Sequence, residues 1–335
     1  MTECREEANT LFLERLKMSE ISLSKKEEAL LRALNTTNFS NSIHEDLSDL
    51  IQYVTPPDTP LFSRLRRTTA SALTHEWTET TLTTTFSDSV YADGGAPVDT
   101  TNSTARRDNK VMSVGRIAKA TELLNATNTI GKSSGMDAFA REVEEKMMDV
   151  MRAIEYWIWN GDKTQTAPQQ MNGLIAELAS GSNAVSNGAS AAALVEAKLQ
   201  EALIAAYAAG GNPNVILCRP AVAQRIAGFT ADRVRYLAGG QAGGLGVSTM
   251  RYLSPLGFDL EIVPVRGDFL PSGKVFVVDT AKVALAELAG GIRMKELSIG
   301  SADIVANRLI KWYGTLELRA KTHHAVISNV SDALS

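Results

Sequence analysis

A few short patterns in the sequence carry residue types that could do chemistry. Ala126-x-x-x-x-Gly131-Lys132-Ser133 fits a relaxed phosphate-loop spelling, and an apolar run ending in Asp279 could imitate the magnesium-binding carboxylate of such a site. A phosphate cradle needs glycines so that successive backbone N–H groups can turn inward, and Thr127, Asn128, Thr129 and Ile130 are poor at those turns. Gly131-x-Ser133-x-Gly135 also spells the nucleophile elbow of hydrolases. An elbow must follow a buried strand, whereas residues 125–129 are polar, and no histidine can be assigned as its base. The four histidines, His44, His75, His323 and His324, include no pair four residues apart and no cysteine at zinc spacing. The residues therefore point to no catalytic, cofactor-binding or metal-binding site, to no cofactor, and to a protein that is not an enzyme. Lys132 is expected to behave as a surface residue, and Met147, Met148 and Met151 as adaptable packing.

The elements that would position these residues are more distinctive. Met136, Phe139, Ala140, Val143, Met147, Val150, Met151, Ile154, Trp157 and Ile158 form one apolar stripe, which predicts an amphipathic helix over 136–160. Ser134-x-x-Asp137 can cap its start and Asn160-Gly161 can end it, giving a rod of ~36 Å. Its other face carries Glu142, Glu145, Asp149 and Arg152, suited to solvent or to pairs between subunits. Residues 1–55 look like an extended arm with short helices, marked by Ser24-x-x-Glu27 and Ser42-x-x-Glu45. The second opens a stripe of Ile43, Leu47, Leu50, Ile51 and Val54 that Pro56-Pro57 stops.

After a short helix capped by Thr59, residues 73–86 and 110–121 have strand composition, and the polar stretch 87–109 between them is predicted to be the tip of a long hairpin. A polar, small-residue connection is expected over 165–189 and a helix over 191–209, closed by Gly210-Gly211. A buried strand over 215–218, a helix opening near Pro220 and a Gly-rich loop over 239–246 follow. Strands are expected over 258–265 and 275–279. In the strand-rich last third, Leu316, Leu318 and Ala320 alternate with Glu317, Arg319 and Lys321 as in a half-buried strand. That alternation puts His324 on the Leu318 face as a satisfied core histidine.

Composition bounds the function. The 335 residues suit one intertwined unit with two lobes, and a hydrophobic share of 44% supports a real core. A formal net charge of −4 and an aromatic share of 6% give no footprint for wrapping DNA or stacking its bases, so DNA is expected only as a non-specific neighbour. No apolar run approaches the ~18 residues of a membrane span, and the charged first residues lack a signal-peptide core, so no membrane is expected. Two cysteines, Cys4 and Cys218, fit a reducing cytoplasm without a disulfide.

The order of arm, hairpin, long helix, α/β lobe and returning strand resembles the Hong Kong 97-type fold of tailed-phage major capsid proteins. The resemblance spans residues 55–330. It is carried by Pro57-Asp58-Thr59-Pro60-Leu61-Phe62, His75-Glu76-Trp77, Trp157-Ile158-Trp159-Asn160-Gly161, Met171-Asn172-Gly173-Leu174 and Asn212-Pro213-Asn214-Val215-Ile216-Leu217. It implies an α+β fold divided into an N-terminal arm (1–55) and a peripheral domain (56–74, 111–165 and 290–335) that holds the spine helix. The remaining parts would be an extended loop (75–110) and an axial domain (166–289). It also implies a structural protein of the virion that self-assembles into hexamers and pentamers in the host cytoplasm, with scaffolding, portal and cement proteins as further partners. Some relatives weld the loop to a neighbour through a lysine isopeptide bond; residues 74–109 contain no lysine, only Arg106 and Arg107 as cations, so such a bond is not expected. Two other readings are a phosphate-loop nucleotidase and the shell protein of a bacterial nanocompartment.

Overall fold

The computed structural model describes residues 58–84, 86–96, 98, 101–126, 138–179, 183–230, 251–288, 290–297 and 304–333. The expected arm over 1–55, the cap of the long helix at Ser134, the phosphate-loop and elbow spellings and the Gly-rich loop over 239–246 lie outside these residues. The N-terminal part comprises β1 (Arg66–Ala70), β2 (Thr74–Thr81), β3 (Ser103–Lys110), β4 (Met112–Thr121), α1 (Glu122–Ala126), α2 (Ala138–Asn160) and α3 (Leu174–Ala179). Then come β5 (Asn183–Ser186), α4 (Glu196–Ala208), β6 (Val215–Cys218), α5 (Pro220–Thr230), β7 (Arg251–Leu253) and β8 (Asp259–Pro264). The chain finishes with β9 (Lys274–Val278), β10 (Val283–Leu288), β11 (Arg293–Glu296), β12 (Ile304–Leu318) and β13 (Ala325–Ser328).

Three sheets organise these strands. A five-stranded sheet has the order β1-β10-β12-β11, with β4 also paired to the long β12; a six-stranded sheet has the order β5-β13-β9-β6-β8-β7; β2 and β3 pair only with each other. Strand β12 reaches so many partners because its 15 residues span two neighbourhoods. Residues Ile304–Gly314 run antiparallel to β4, and Gly314–Leu318 run antiparallel to β10.

The centre of the six-stranded sheet is buried on both faces, which explains why β13, β9 and β6 are apolar runs, while β5 and β7 at its edges alternate between buried and exposed residues. Val215, Leu217, Phe276 and Val278 face one core with Val150, Ile154, Ile158 and Trp159 of α2 and Trp312, Leu316 and Leu318 of β12. Ile216, Cys218, Val275 and Val277 face a second core under α4 and α5, with Leu199, Leu203, Val222 and Ile226.

Several expectations need correction. Strand β3, not the stretch 110–121, pairs with β2, in the register Thr74↔Lys110 to Thr81↔Ser103. Residues 112–121 instead form β4 against β12, because Met112, Val114, Ala118 and Ala120 bury one alternating face. The hairpin tip is therefore 82–102 rather than 87–109, and Asn109 is fully buried. The connection over 165–189 contains α3 and β5, an order too short for a periodic signal.

Helix α4 begins at Glu196, not 191, since the Asn187 side chain holds the preceding turn: Nδ2 donates to the carbonyls of Ala192 (2.9 Å) and Ala193 (3.1 Å), and Oδ1 accepts from the Val195 N–H (3.3 Å). The helix ends as expected, with Gly210 at φ +96°, a conformation open to glycine. The strand at the C-terminal end stops at Leu318, and Ala320 turns left-handed at φ 49°. Strand β10 lies in the five-stranded sheet and β13 in the six-stranded one.

Along α2 the stripe is buried unevenly. Val143 and Met147 are half-buried against the core, whereas Val150, Ile154 and Ile158 are enclosed. Ile154→Ala should cost about 2–5 kcal/mol of unfolding free energy, and Glu144→Ala, on the exposed flank, under ~1 kcal/mol. Denaturant unfolding of the free subunit checks this; equal midpoints for both variants would show that α2 is not packed as described.

Candidate assembly surface

The strongest candidate surface is the hairpin β2–β3. Its root is built into the subunit. Trp77 is buried, and Asn109 bonds at every edge: Nδ2 donates to the carbonyls of Asn172 (3.1 Å) and Leu316 (2.7 Å), while Oδ1 accepts from the N–H groups of Asn172 (2.8 Å) and Lys110 (2.8 Å). Beyond the root, both faces meet solvent. Leu82, Phe86, Val90 and Tyr91 are 70, 75, 83 and 58% exposed. A two-stranded ribbon with no packed face is marginal by itself, and a run of exposed large side chains marks an interaction surface.

Buried carboxylates fix this root and the segment before it. Glu317, enclosed in β12, accepts from His75 Nε2 (3.0 Å), Thr68 Oγ1 (3.3 Å) and Arg319 Nε. Burial alone would raise its pKa; the hydrogen bonds and charges of His75 and Arg319 outweigh that and hold the carboxyl below the ordinary range. Glu79 Oε1 accepts from the Ala320 N–H (2.7 Å), tying β2 to the left-handed turn after β12. Glu155 of α2, fully buried, accepts from the N–H groups of Leu61 (3.2 Å) and Phe62 (2.7 Å) and from Trp159 Nε1 (2.8 Å). Burial pushes its carboxyl above the ordinary value despite these donors.

The motifs that carry the family resemblance meet at such joints. Gly173 N–H donates to Gly161 O (2.9 Å), and a Cβ on Gly173 would come within 2.6 Å of Trp159 O, so the ends of two motifs require glycine where they touch. Asn172 Nδ2 donates to the enclosed Glu177, whose other oxygen is paired with Lys321 Nζ. Asn214 exchanges hydrogen bonds with Thr280 at 2.7 and 3.0 Å.

The residues weighed for chemistry are used structurally. Asp279 Oδ1 accepts from the Ala281 N–H (3.0 Å), capping a single turn. Cys218 is enclosed in β6, where burial and the nearby Asp332 charge push its thiol up to about 12, so it is not a nucleophile. His324 is the core histidine, though it follows a turn rather than continuing β12. Its Nδ1 accepts from the Asp279 N–H (3.2 Å) and its Nε2 faces Arg319 O (3.2 Å), an arrangement that suits the neutral ring with the proton on Nε2. Of the other histidines, His75 serves the hairpin root, His323 lines a groove beside it, and His44 lies outside the described residues. The charges on α2 pair largely within the helix: Arg141–Glu145 (3.6 Å), Lys146–Glu142 (3.4 Å) and Lys146–Asp149 (3.6 Å). Among the described residues no group of three or more His, Cys, Asp or Glu side chains could hold a metal, and no helix is long and apolar enough to cross a membrane.

Solved structures share this architecture. The capsid asymmetric unit of cyanophage A-1(L) superposes with a TM-score of 0.65 at 13% identity, covering 89% of this chain and 99% of that one. The capsid of a native GTA particle gives 0.62 at 12% identity, over 89% and 100% of the two chains. The holo-SrpI encapsulin complex from Synechococcus elongatus PCC 7942 gives 0.56 at 16% identity, over 90% and 98%. At these identities the likeness establishes the fold, the α+β fold of phage capsid proteins. No curated protein matches the chain. The family model described as SU10 major capsid protein matches residues 33–331, and the chain belongs to that family. Its role is that of a structural capsid protein.

The His324 geometry generates a pH prediction. Burial lowers its pKa from 6.5 to about 4, so between these values the unfolded chain binds a proton that the folded subunit does not. Stability is therefore lost as pH falls from 6.5 towards 4, by about 3 kcal/mol. His324→Gln, which keeps one donor and one acceptor but cannot ionise, should flatten this part of the profile. Denaturant midpoints of the free subunit between pH 7 and 4.5 measure it, and an unchanged profile would contradict the assignment.

Proposed function

We propose that the chain is the protomer of hexamers and pentamers that close into an icosahedral or prolate phage head around the DNA genome. The observation that carries this reading is a hairpin anchored at its root and exposed along its length, in a chain of the SU10 major capsid protein family. In this reading the five-stranded sheet with α2 forms the peripheral lobe, the spine being α2, and the six-stranded sheet with α4 and α5 forms the axial lobe. The expected division shifts accordingly, with β10 assigned to the peripheral lobe and β13 to the axial one.

The protein acts by packing against copies of itself, without catalysis, cofactor or metal, and joins the virion after assembly in the host cytoplasm. Scaffolding, portal and cement proteins are its further partners. DNA is a neighbour, consistent with the net charge of −4. Stability of the shell comes from buried area rather than from a lysine weld. The hairpin cations Arg106 and Arg107 are paired with Glu76 (3.3 Å) and Glu79 (3.4 Å) of the opposite strand. The nanocompartment reading has support from the shared fold of the encapsulin, and family membership favours the phage head. The nucleotidase reading loses support, since the Asp279 carboxylate is engaged as a turn cap.

Replacing residues 83–101 by a short turn should leave the subunit folded, since the cut spares Trp77, Asn109 and the paired strands, and should abolish stable particles. Melting and electron microscopy of the same preparation test this; normal particles from the shortened chain would refute the role of the hairpin.

A further inference from the structure

The net charge of −4 is not spread evenly along the chain. Residues 1–55 hold ten acidic and six basic side chains, so residues 56–335 are neutral overall. Within that neutral part, one face of the five-stranded sheet collects cations. Strand β12 runs between β11 and β4, with Arg293 opposite Lys311, Lys295 opposite Leu309, Leu309 opposite Ile117 and Asn307 opposite Lys119. Ile310 and Trp312 of β12 and Val114 of β4 share the core with α2, so strand alternation puts Lys119, Arg293, Lys295 and Lys311 together on the opposite face.

None of these four side chains pairs with a carboxylate among the described residues. Lys119, Arg293 and Lys295 are exposed, and the Lys311 ammonium donates to Tyr313 Oη (3.2 Å) on the same face. The other face is balanced, with Arg308 paired to Glu296 (3.3 Å). Strand spacing puts each of the four charges within roughly 5–12 Å of the next, near the screening length of about 10 Å at 0.1 M salt, so their fields add. They are spread along a sheet face and do not converge on one point, which fits an extended polyanion better than a small ion. A phosphate backbone presents acceptors alone, and from Asn307 to Tyr313 and on the strands beside them this face offers no carboxylate to oppose it.

We infer that this face binds the phosphate backbone of duplex DNA without reading its sequence. The inference rests on the capsid reading, which puts a DNA genome beside the protein, and it names the surface that meets that genome. A few phosphate contacts are weak in one subunit, and a shell repeats them in every copy.

Titration of the full-length chain with random-sequence duplex across a range of salt tests this, by fluorescence anisotropy, with circular dichroism to confirm that each variant is folded. Lys119→Ala with Lys295→Ala should weaken binding roughly tenfold at low salt and reduce the slope of log K against log salt by about two. Arg116→Ala with Arg308→Ala takes the same charge from the other face of the same sheet and should leave affinity and slope unchanged. Equal losses from both pairs, or a wild-type chain that binds no duplex at low salt, would overturn the assignment. So would poly-glutamate that competes with duplex charge for charge, which would point to an acidic protein as the occupant. Electron microscopy of the same wild-type preparation keeps the two readings apart. Normal particles alongside any of those results would overturn this surface and leave the capsid reading intact. A wild-type chain that forms no particles, even with its scaffold supplied, would overturn the capsid reading and with it the genome as the ligand.

Discussion

The constraint on which the structure turns is that β2 and β3 have no sheet to join. Each strand satisfies its backbone only through the other, and past Trp77 neither face of the ribbon meets the subunit core. Ordering a residue costs about 1–2 kcal/mol in backbone entropy, and a ribbon that buries nothing cannot offset that by itself. The subunit supplies only the root. The rest of the ribbon stays exposed in the subunit, in keeping with a capsid protein that assembles with copies of itself.

A ribbon that bears on a neighbour must be held firmly at its base, and the base is polar. Asn109, Glu317, Glu79 and Glu177 tie β2, β3, β12 and the loop after α2 through hydrogen bonds to backbone groups or to charged side chains. Glu155 does the same for the turn before β1, receiving the backbone N–H groups of Leu61 and Phe62, 94 and 93 residues earlier. A hydrogen bond to a charged group contributes ~1.5–3 kcal/mol, and it fixes direction, which apolar packing does not. Glu317 and Glu155 each take three donors, so losing one leaves a buried carboxylate under-satisfied.

These joints were the least legible part of the sequence. The long helix could be recognised because its apolar residues recur with helical period, and strands β6 and β9 because a sheet centre covered on both sides leaves apolar runs. Glu317 could not be recognised, because alternation with Leu316 and Leu318 signals a wet face only when one side of a sheet is open, and here both are closed. Glu155 carries one faint signal, its i, i+4 spacing to Trp159, whose indole donates to it. Pairing of β2 with β3 rather than with the next strand depends on the break at Val111, whose N–H turns to Leu73 O (2.8 Å), and nothing in the local composition marks that turn. The motifs of the capsid resemblance were visible as text. What they do, bringing Gly161 against Gly173 and Asn172 against Asn109, exists only in three dimensions.

The central claim, that the ribbon acquires its stability from a neighbouring copy, is tested most directly by amide hydrogen exchange on free subunits and on assembled particles. The account predicts that the amides of Asn109, Lys110 and Val111 at the root are protected in both states. Those of residues 78–82 and 103–106 should exchange readily in the free subunit and become protected on assembly. Equal protection of the distal ribbon in both states would contradict it, since the hairpin would then be stable without a partner.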